Sequence, residues 1–119
     1  MGSVNSFSAD LALVETDAVV VLRGELDLAS TPQLERVLDP LVSHGPPEIV
    51  LDCAALSFLD SSGIAVLVNV QSRLGQQDRQ LIVRAPQANV LRVLEVTGLM
   101  DFLHVDSEVV QIHPDQLAV

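Results

Sequence analysis

The chain has 119 residues, a length that suits one domain and leaves no room for a second independent core. Hydrophobic residues make up 49% of it and charged residues 18%, so enough apolar surface is present to build a folded interior. Sixteen acidic side chains against six arginines, with no lysine, give a formal net charge of -10. Nucleic acids and anionic membranes are bound through basic surfaces, so this charge argues against both as partners. A partner with a basic docking surface is favoured instead.

Nothing in the sequence predicts export or membrane insertion. Residues 1–6 lack the basic region and following apolar run of a secretion signal. The longest apolar stretch, residues 64–70, is far shorter than the ~20 residues that span a bilayer. Cys53 is the single cysteine and lies in an apolar run, which favours a small buried hydrophobe over a disulfide. We therefore expect a soluble, cytoplasmic protein.

Two apolar, β-rich runs open the chain, at residues 7–14 and 18–23. The polar spacer between them is short enough for a hairpin, which predicts an antiparallel pair of strands. Ser30 then offers a hydroxyl cap, and apolar residues recur at helical spacing after it. We predict a helix from about Pro32 to Ser43, with one proline suited to its first turn and another, Pro40, able to kink it.

The rest of the chain alternates strands with helices. The patterns predict strands at residues 48–53, 80–84 and 102–105, and helices at 61–74 and 87–96. The tail from residue 108 to 117 has the pattern of a weak helix. A hairpin followed by this alternation predicts an α/β fold, with a mixed β-sheet that is parallel in its later part and helices packed against it. No linker divides the chain, so we expect a single domain over residues 1–119, with its core at about 8–113.

The most informative stretch for function is Phe58–Gly63, because it follows a strand by a few residues and opens a helix. Unpaired backbone N–H groups and the positive end of the helix dipole at this point favour an anion, such as a phosphate on Ser61. Gly63 would then leave room for the phosphate. The alternative from physical chemistry alone is that Asp60 or Ser61 merely caps the helix.

Enzymatic and metal-binding interpretations are weaker. The residues Ser61-Ser62-Gly63 match the latter half of the Gly-x-Ser-x-Gly nucleophile elbow, but Leu59 stands where the first glycine belongs. A serine nucleophile also needs a base, and the three histidines are isolated in the sequence. Two pairs have the spacing of helical metal ligands but do not lie within predicted helices: His44 with Glu48, and Asp101 with His104. We predict no enzyme activity, no metal and no cofactor.

Two further features lie near Ser61 in the predicted fold. Glu25 and Asp27 end a strand, so they could cap the next helix, share a sheet edge with Asp60, or be ordinary turn residues. Carboxylates close to a phosphate would repel it and raise its desolvation cost at an interface. Three apolar residues of the following helix lie off its main apolar stripe and could face a partner, unless neighbouring helices cover them: Ile64, Ala65 and Val68.

Five motifs occur in order along the chain: Val19–Asp27, Thr31-Pro32 with Leu34, Ile49–Asp52, Phe58–Gly63 and Thr97–Leu99. In this order and approximate spacing they resemble the STAS domain, and more closely the bacterial anti-sigma factor antagonists that carry it. The resemblance covers most of the chain, from about residue 11 to residue 105. Its specific part is the Asp-Ser-Ser-Gly element at residues 60–63.

The resemblance implies a phosphorylation switch at Ser61. In that family a partner that is both an anti-sigma factor and an ATP-dependent serine kinase phosphorylates the serine directly after the aspartate. The unphosphorylated antagonist binds the anti-sigma factor and frees the sigma factor, and a PP2C-type phosphatase restores it after modification. ATP is thus used by the partner kinase, and the antagonist needs no cofactor of its own.

The resemblance also implies a docking face beside Ser61. Asp27 and Asp60 should flank the phosphosite, and the helix that starts at Ser62 should form much of the face. The expected partner-binding residues are Asp27, Asp60, Ser61, Ser62, Gly63, Ile64 and Val68. Ala65 stands where relatives often have glycine, which could reshape this surface. The alternative is a non-switching STAS scaffold or regulatory subunit of a stress-signalling or transport complex, because fold alone does not fix the role.

Overall fold

In residues 7–117, which this computed structural model describes, the chain forms five strands and three helices. In chain order they are β1 (Phe7–Val14), β2 (Asp17–Leu26), α1 (Thr31–His44), β3 (Glu48–Leu59), α2 (Ser61–Gly75), β4 (Gln80–Arg84), α3 (Ala88–Val96) and β5 (His104–Asp106). A 3-10 turn follows at Pro114–Gln116. The expected single domain covers residues 1–119, and two parts of it, residues 1–6 and 118–119, lie outside the described residues. The prediction about a secretion signal concerns residues 1–6 and so also lies outside them.

The strands lie side by side in one sheet, in the order β1-β2-β3-β4-β5. β1 and β2 are antiparallel, and each later neighbouring pair is parallel. Every parallel connection passes through a helix, and such connections share one handedness, so α1, α2 and α3 pack on the same face of the sheet. The predicted α/β class, with a hairpin followed by parallel strands, is confirmed.

The main core lies between the three helices and the sheet. Successive residues of β2 alternate between the two faces, so Leu22 belongs to the main core while Val21 belongs to a smaller cluster on the opposite face. Cys53 lies in the main core, as predicted. Burial, together with the neighbouring Asp52 carboxylate, raises the pKa of its thiol from 9.0 to about 12. The thiol therefore stays neutral and unreactive in the folded protein.

Strands β2 and β3 extend further than the sequence pattern indicates, and the extensions position the candidate site. β3 was predicted to end at Cys53 but continues to Leu59, paired with β2 through two register shifts. β4 is too short to cover this part of β3. The side chains of Gln87 and Asn89 satisfy two carbonyls there instead, donating to Ala54 O at 2.9 Å and Ser57 O at 2.7 Å. Hydrogen bonds from residues so distant in sequence cannot be recognised from the local pattern of residues 54–59, so the pattern did not predict this part of the strand.

The C-terminal part departs most from the sequence prediction. β5 begins at His104, and Phe102, predicted to lie in it, is an exposed residue of the preceding turn. Residues 108–117 do not form the predicted weak helix, apart from the 3-10 turn at Pro114–Gln116. Pro114 has no N–H to donate and would clash with the preceding turn of a helix, which disfavours one continuous helix through this segment.

Candidate functional site

The parallel pairing of β2 with β3 brings the two acidic residues of the candidate site to one end of the sheet. Leu26 and Leu59 are register partners, and Asp27 and Asp60 follow them directly. The backbone N–H of Asp60 donates to the carbonyl of Leu26 at 3.3 Å, so the pairing continues to the site itself. Of the alternatives left open for Asp27, the structure shows that it shares one end of the sheet with Asp60, and Ser61 begins α2 beside them.

Asp60 caps α2. Its backbone is extended, and its Oδ1 accepts hydrogen bonds from the N–H groups of Ser62 at 2.9 Å and Gly63 at 3.2 Å. Backbone amides that the sequence analysis assigned to a phosphate are therefore already satisfied by a carboxylate. The interpretation of Asp60 as the helix cap is therefore correct. The prediction of unpaired backbone N–H groups that could bind a phosphate is wrong for Ser62 and Gly63. A phosphate on Ser61 would lie next to a negative charge.

Ser61 is exposed at the first position of α2, and Ser62 is half-buried. The hydroxyl of Ser61 is thus accessible from solvent. Among residues 7–117, no side-chain hydrogen bond joins Ser61 to a histidine or other base, as a serine nucleophile would require. The described residues therefore provide Ser61 with no hydrogen-bonded base of the kind that activates a serine nucleophile.

Gly63 is buried where the first turn of α2 crosses the ends of β2 and β3. A Cβ atom at this position would lie 2.5 Å from Cδ1 of Leu59 and 2.9 Å from Cγ of Leu26. Glycine is therefore required by close packing of the helix on two buried leucines. The expectation that Gly63 leaves space for a phosphate is wrong, because the missing side chain would point into the core.

Asp27 fixes the loop that leads into α1. Its Oδ1 accepts from the N–H of Ala29 at 3.0 Å and from the N–H of Ser30 at 3.2 Å, and its own N–H donates to Ser30 Oγ at 2.9 Å. The hydroxyl of Ser30 is turned back toward Asp27 and Glu25 and makes no capping bond to the helix. The predicted hydroxyl cap of α1 is therefore absent, and the Asp27 carboxylate instead organises the loop before the helix, as in an Asx turn.

An open groove runs beside Ser61 between α1 and α2, with a volume of about 440 Å³. We call it the α1–α2 groove, and its lining residues are Leu28, Thr31, Glu35, Ser62, Ala65, Val66 and Asn69. Leu28 is the most exposed large apolar side chain of the groove lining, with 74% of its surface exposed. Leu28 is not among the residues predicted from the sequence, although an apolar residue within a polar turn is a signal of this kind.

The predicted partner-binding residues are not equally accessible. Asp27, Asp60 and Ser62 are half-buried around the exposed Ser61, whereas Gly63 is fully buried. Ile64 and Val68 are half-buried, and Ile64 packs against the main core. Ala65, which points into the α1–α2 groove, is exposed. The set of partner-binding residues stays a prediction. Within it, Ile64 and Val68 are less accessible to a partner than Ala65, which lines the groove.

Within the described part of the chain, no three His, Cys, Asp or Glu side chains are grouped closely enough to hold a metal ion. None of the helices in residues 7–117 has both the length and the apolar character needed to cross a bilayer. The site itself offers an exposed serine, two carboxylates and a groove whose lining is partly apolar and partly polar.

Comparison with known proteins agrees with this architecture. Residues 9–112 match the family model of the STAS domain. An anti-sigma-B factor antagonist of Staphylococcus aureus is 34% identical over 87 residues, which cover 73% of this chain and 81% of the relative. The crystal structure of an anti-sigma factor antagonist from Mycobacterium paratuberculosis superposes with a TM-score of 0.75 at 27% identity, covering 87% of this chain and 88% of that one.

A third similarity, to the unphosphorylated form of the Bacillus anti-sigma factor antagonist SpoIIAA, shows the same fold, with a TM-score of 0.70 at 24% identity over 84% of this chain and 87% of that one. The chain belongs to the STAS domain family, as a relative of its anti-sigma factor antagonists. These relatives are regulatory proteins, so the prediction that the chain is not an enzyme is confirmed.

Proposed function

We propose that this protein is an anti-sigma factor antagonist that binds an anti-sigma factor in its unphosphorylated form and is switched off by phosphorylation of Ser61. The observation that carries the proposal is the exposed Ser61, which stands between the capping residue Asp60 and Ser62, a lining residue of the α1–α2 groove. The 34% identity to an anti-sigma-B factor antagonist supports the same role. The partner is an anti-sigma factor that is also a serine kinase, and a PP2C-type phosphatase reverses the modification.

The docking surface combines an apolar centre with an acidic rim. Leu28 and Ala65 supply apolar area in the groove, and Glu35 lines its edge. Asp27 and Asp60 lie at the adjoining end of the sheet. A partner that inserts an apolar side chain into the groove and presents basic side chains around it would fit this surface. Because the kinase draws on ATP, we place the complex in the cytoplasm.

The switch works through local repulsion and desolvation. A phosphate adds roughly -1.5 to -2 charges at neutral pH and would stand beside the Asp60 carboxylate, which already holds the amides of Ser62 and Gly63. Removing this group of charges from water at an interface is unfavourable. Changing a partner from almost fully bound to almost fully released takes ~10⁴-fold in affinity, about 5.5 kcal/mol. Repulsion and desolvation at a buried interface can reach that order without refolding.

The test of the proposed function is phosphorylation followed by binding. The protein is incubated with ATP and the anti-sigma kinases of its own organism, and fragmentation mass spectrometry locates any phosphate. We expect one phosphate on Ser61, none on the matched Ser61→Ala variant and an unchanged yield on Ser62→Ala. Phosphate found on Ser62, or on neither serine with any kinase, would contradict the proposal.

Binding measured by calorimetry separates a switch from a constitutive scaffold. Ser61→Ala should bind the anti-sigma factor about as tightly as the unmodified protein, because a methyl group adds no charge. Ser61→Asp should bind at least ~100-fold more weakly, since it adds a carboxylate beside Asp60. Equal affinity of the two variants would instead identify a non-switching STAS scaffold.

A further inference from the structure

The face of the sheet that is turned away from the helices carries its own apolar cluster. Its buried members come from four adjacent strands: Ala12, Val19, Val21, Val50 and Ile82. All three helices pack on the other face, so none of them covers this cluster. A single-layer sheet with a bare apolar face would be a site of association, so whatever covers this face controls its availability.

The cover is the C-terminal segment, residues 107–117, which we call the strap. It leaves the edge strand β5 after Asp106 and passes over the middle of the sheet, where residues 109–112 face β2 and β3. It reaches the opposite edge at Leu117, which pairs with Ala12 of β1. The strap thus spans the outer face from one edge of the sheet to the other.

The strap is attached at few points. Ile112 and Leu117 are its apolar contacts with the outer cluster, and both are only half-buried. Val109 is 76% exposed and contributes little burial. Within the described residues, the strap's hydrogen bonds are short-range, such as His113 N–H to Gln116 Oε1 at 2.9 Å, except for the pairing at Leu117.

The strap also packs loosely on the sheet. An open cavity of about 220 Å³ lies between part of the strap, residues 109–112, and strands β2 and β3, and its lining includes Arg23 and Asp52. Asp52 is 7% exposed and directs one carboxylate oxygen to the N–H of Ala54 at 3.1 Å. A charged residue beneath a cover prevents close apolar contact, and the space removes dispersion contacts on both sides. Regions with few buried contacts open first.

We propose that the strap opens while the rest of the domain stays folded, and that this opening exposes the outer cluster to solvent. The closed strap shields the outer cluster and one position on the β1 edge. Opening breaks the apolar contacts of Ile112 and Leu117, the pairing of Leu117 with Ala12 and the partial cover of Val110, and it leaves every strand pair of the sheet intact. This device is independent of Ser61, which lies at the end of the sheet and not on its outer face.

Hydrogen exchange of the full chain at neutral pH, followed by mass spectrometry, tests the proposal. We expect amides of the strap to exchange at least ~100-fold faster than those of β3, because their opening does not need global unfolding. Ile112→Ala should speed strap exchange about tenfold further and increase the fluorescence of an apolar dye that binds the outer cluster, with β3 exchange unchanged. Val109→Ala is the matched control and should change neither signal.

Two results would overturn the proposal. One is strap exchange in the unmodified protein that is as slow as β3 exchange, which would make the strap part of the cooperative core. The other is an equal acceleration of strap and β3 exchange in Ile112→Ala, which would mean that the strap detaches only when the domain unfolds. The first measurement needs no variant, so a folding defect in Ile112→Ala leaves the proposal testable.

Discussion

At the scale of single residues, Gly63 is where the candidate site and the core meet. We expect Gly63→Ala to destabilise the domain by about 1–3 kcal/mol, because the new methyl group would lie within 3 Å of Leu26 and Leu59, both buried. The intrinsic helix preference of alanine, up to ~1 kcal/mol, offsets part of this loss. Urea unfolding of the purified variant gives the free energy of unfolding directly.

The same helix supplies a matched control for that measurement. At Gly75 an added Cβ meets no atom within 4 Å, so Gly75→Ala carries the helix preference without the clash. It should be neutral or stabilising by up to ~1 kcal/mol. If Gly63→Ala were no less stable than Gly75→Ala, the packing explanation for Gly63 would be wrong.

At the scale of elements, Arg79 links the C-terminal end of α1 to the start of β4. Its guanidinium donates to the carbonyls of Leu41 at 2.6 Å, Val42 at 2.5 Å and Pro46 at 3.0 Å. The Val42 carbonyl has no partner within the helix, because residue 46 is a proline, whereas the Leu41 carbonyl also accepts the N–H of Gly45 at 2.7 Å. A cation at this end also interacts favourably with the helix dipole.

We expect Arg79→Met to lower the free energy of unfolding by about 1–3 kcal/mol, because it leaves part-buried carbonyls without their donor. Arg73→Met is the control: Arg73 makes a surface ion pair with Asp39 at 3.3 Å, and both side chains are substantially exposed. Such pairs contribute at most ~1 kcal/mol. Thermal unfolding should show a larger loss of stability for Arg79→Met than for Arg73→Met. Equal losses would mean that the Arg79 hydrogen bonds to the end of α1 contribute no more than a surface ion pair.

The element scale also shows what sequence patterns can predict. Hydrophobic periodicity locates both strands of the hairpin, the three helices and β4, because each buries a regular face. It fails for the end of β3, where Asn89 of α3 and Gln87, the residue just before that helix, support residues that lack a strand pattern. Asp60 and Ser61 could be placed at a helix start from the motif alone. The packing of Gly63 on Leu26 could not, because that contact joins distant parts of the chain.

At the scale of the whole molecule, the net charge of -10 governs how partners approach. If the partner presents basic side chains to this protein, as proposed, the rate at which the two associate should fall at least ~10-fold between 50 and 500 mM salt. The dissociation rate should change much less. Stopped-flow mixing at several salt concentrations measures both. A salt-independent association rate would count against charge steering.

A pair of charge-neutralising variants locates the steering charges. Glu35 lines the α1–α2 groove, so Glu35→Gln should slow association and reduce its salt dependence. Glu95 is exposed on α3 and lies outside the groove lining, so Glu95→Gln alters net charge equally but should affect the rate less. Equal effects would show that overall charge, and not the groove, guides the encounter.

The hydrogen bonds of the Asp60 cap bear on the timing of the proposed switch. The N–H groups of Ser62 and Gly63 are already bonded to Asp60 before any phosphate is added. In the proposed switch, phosphorylation of Ser61 therefore neither has to order the first turn of α2 nor has to unfold it. Conformational relaxation then adds no delay in either direction. The response time of the circuit would be the turnover time of its kinase and phosphatase, and the protein would keep no memory of its previous state.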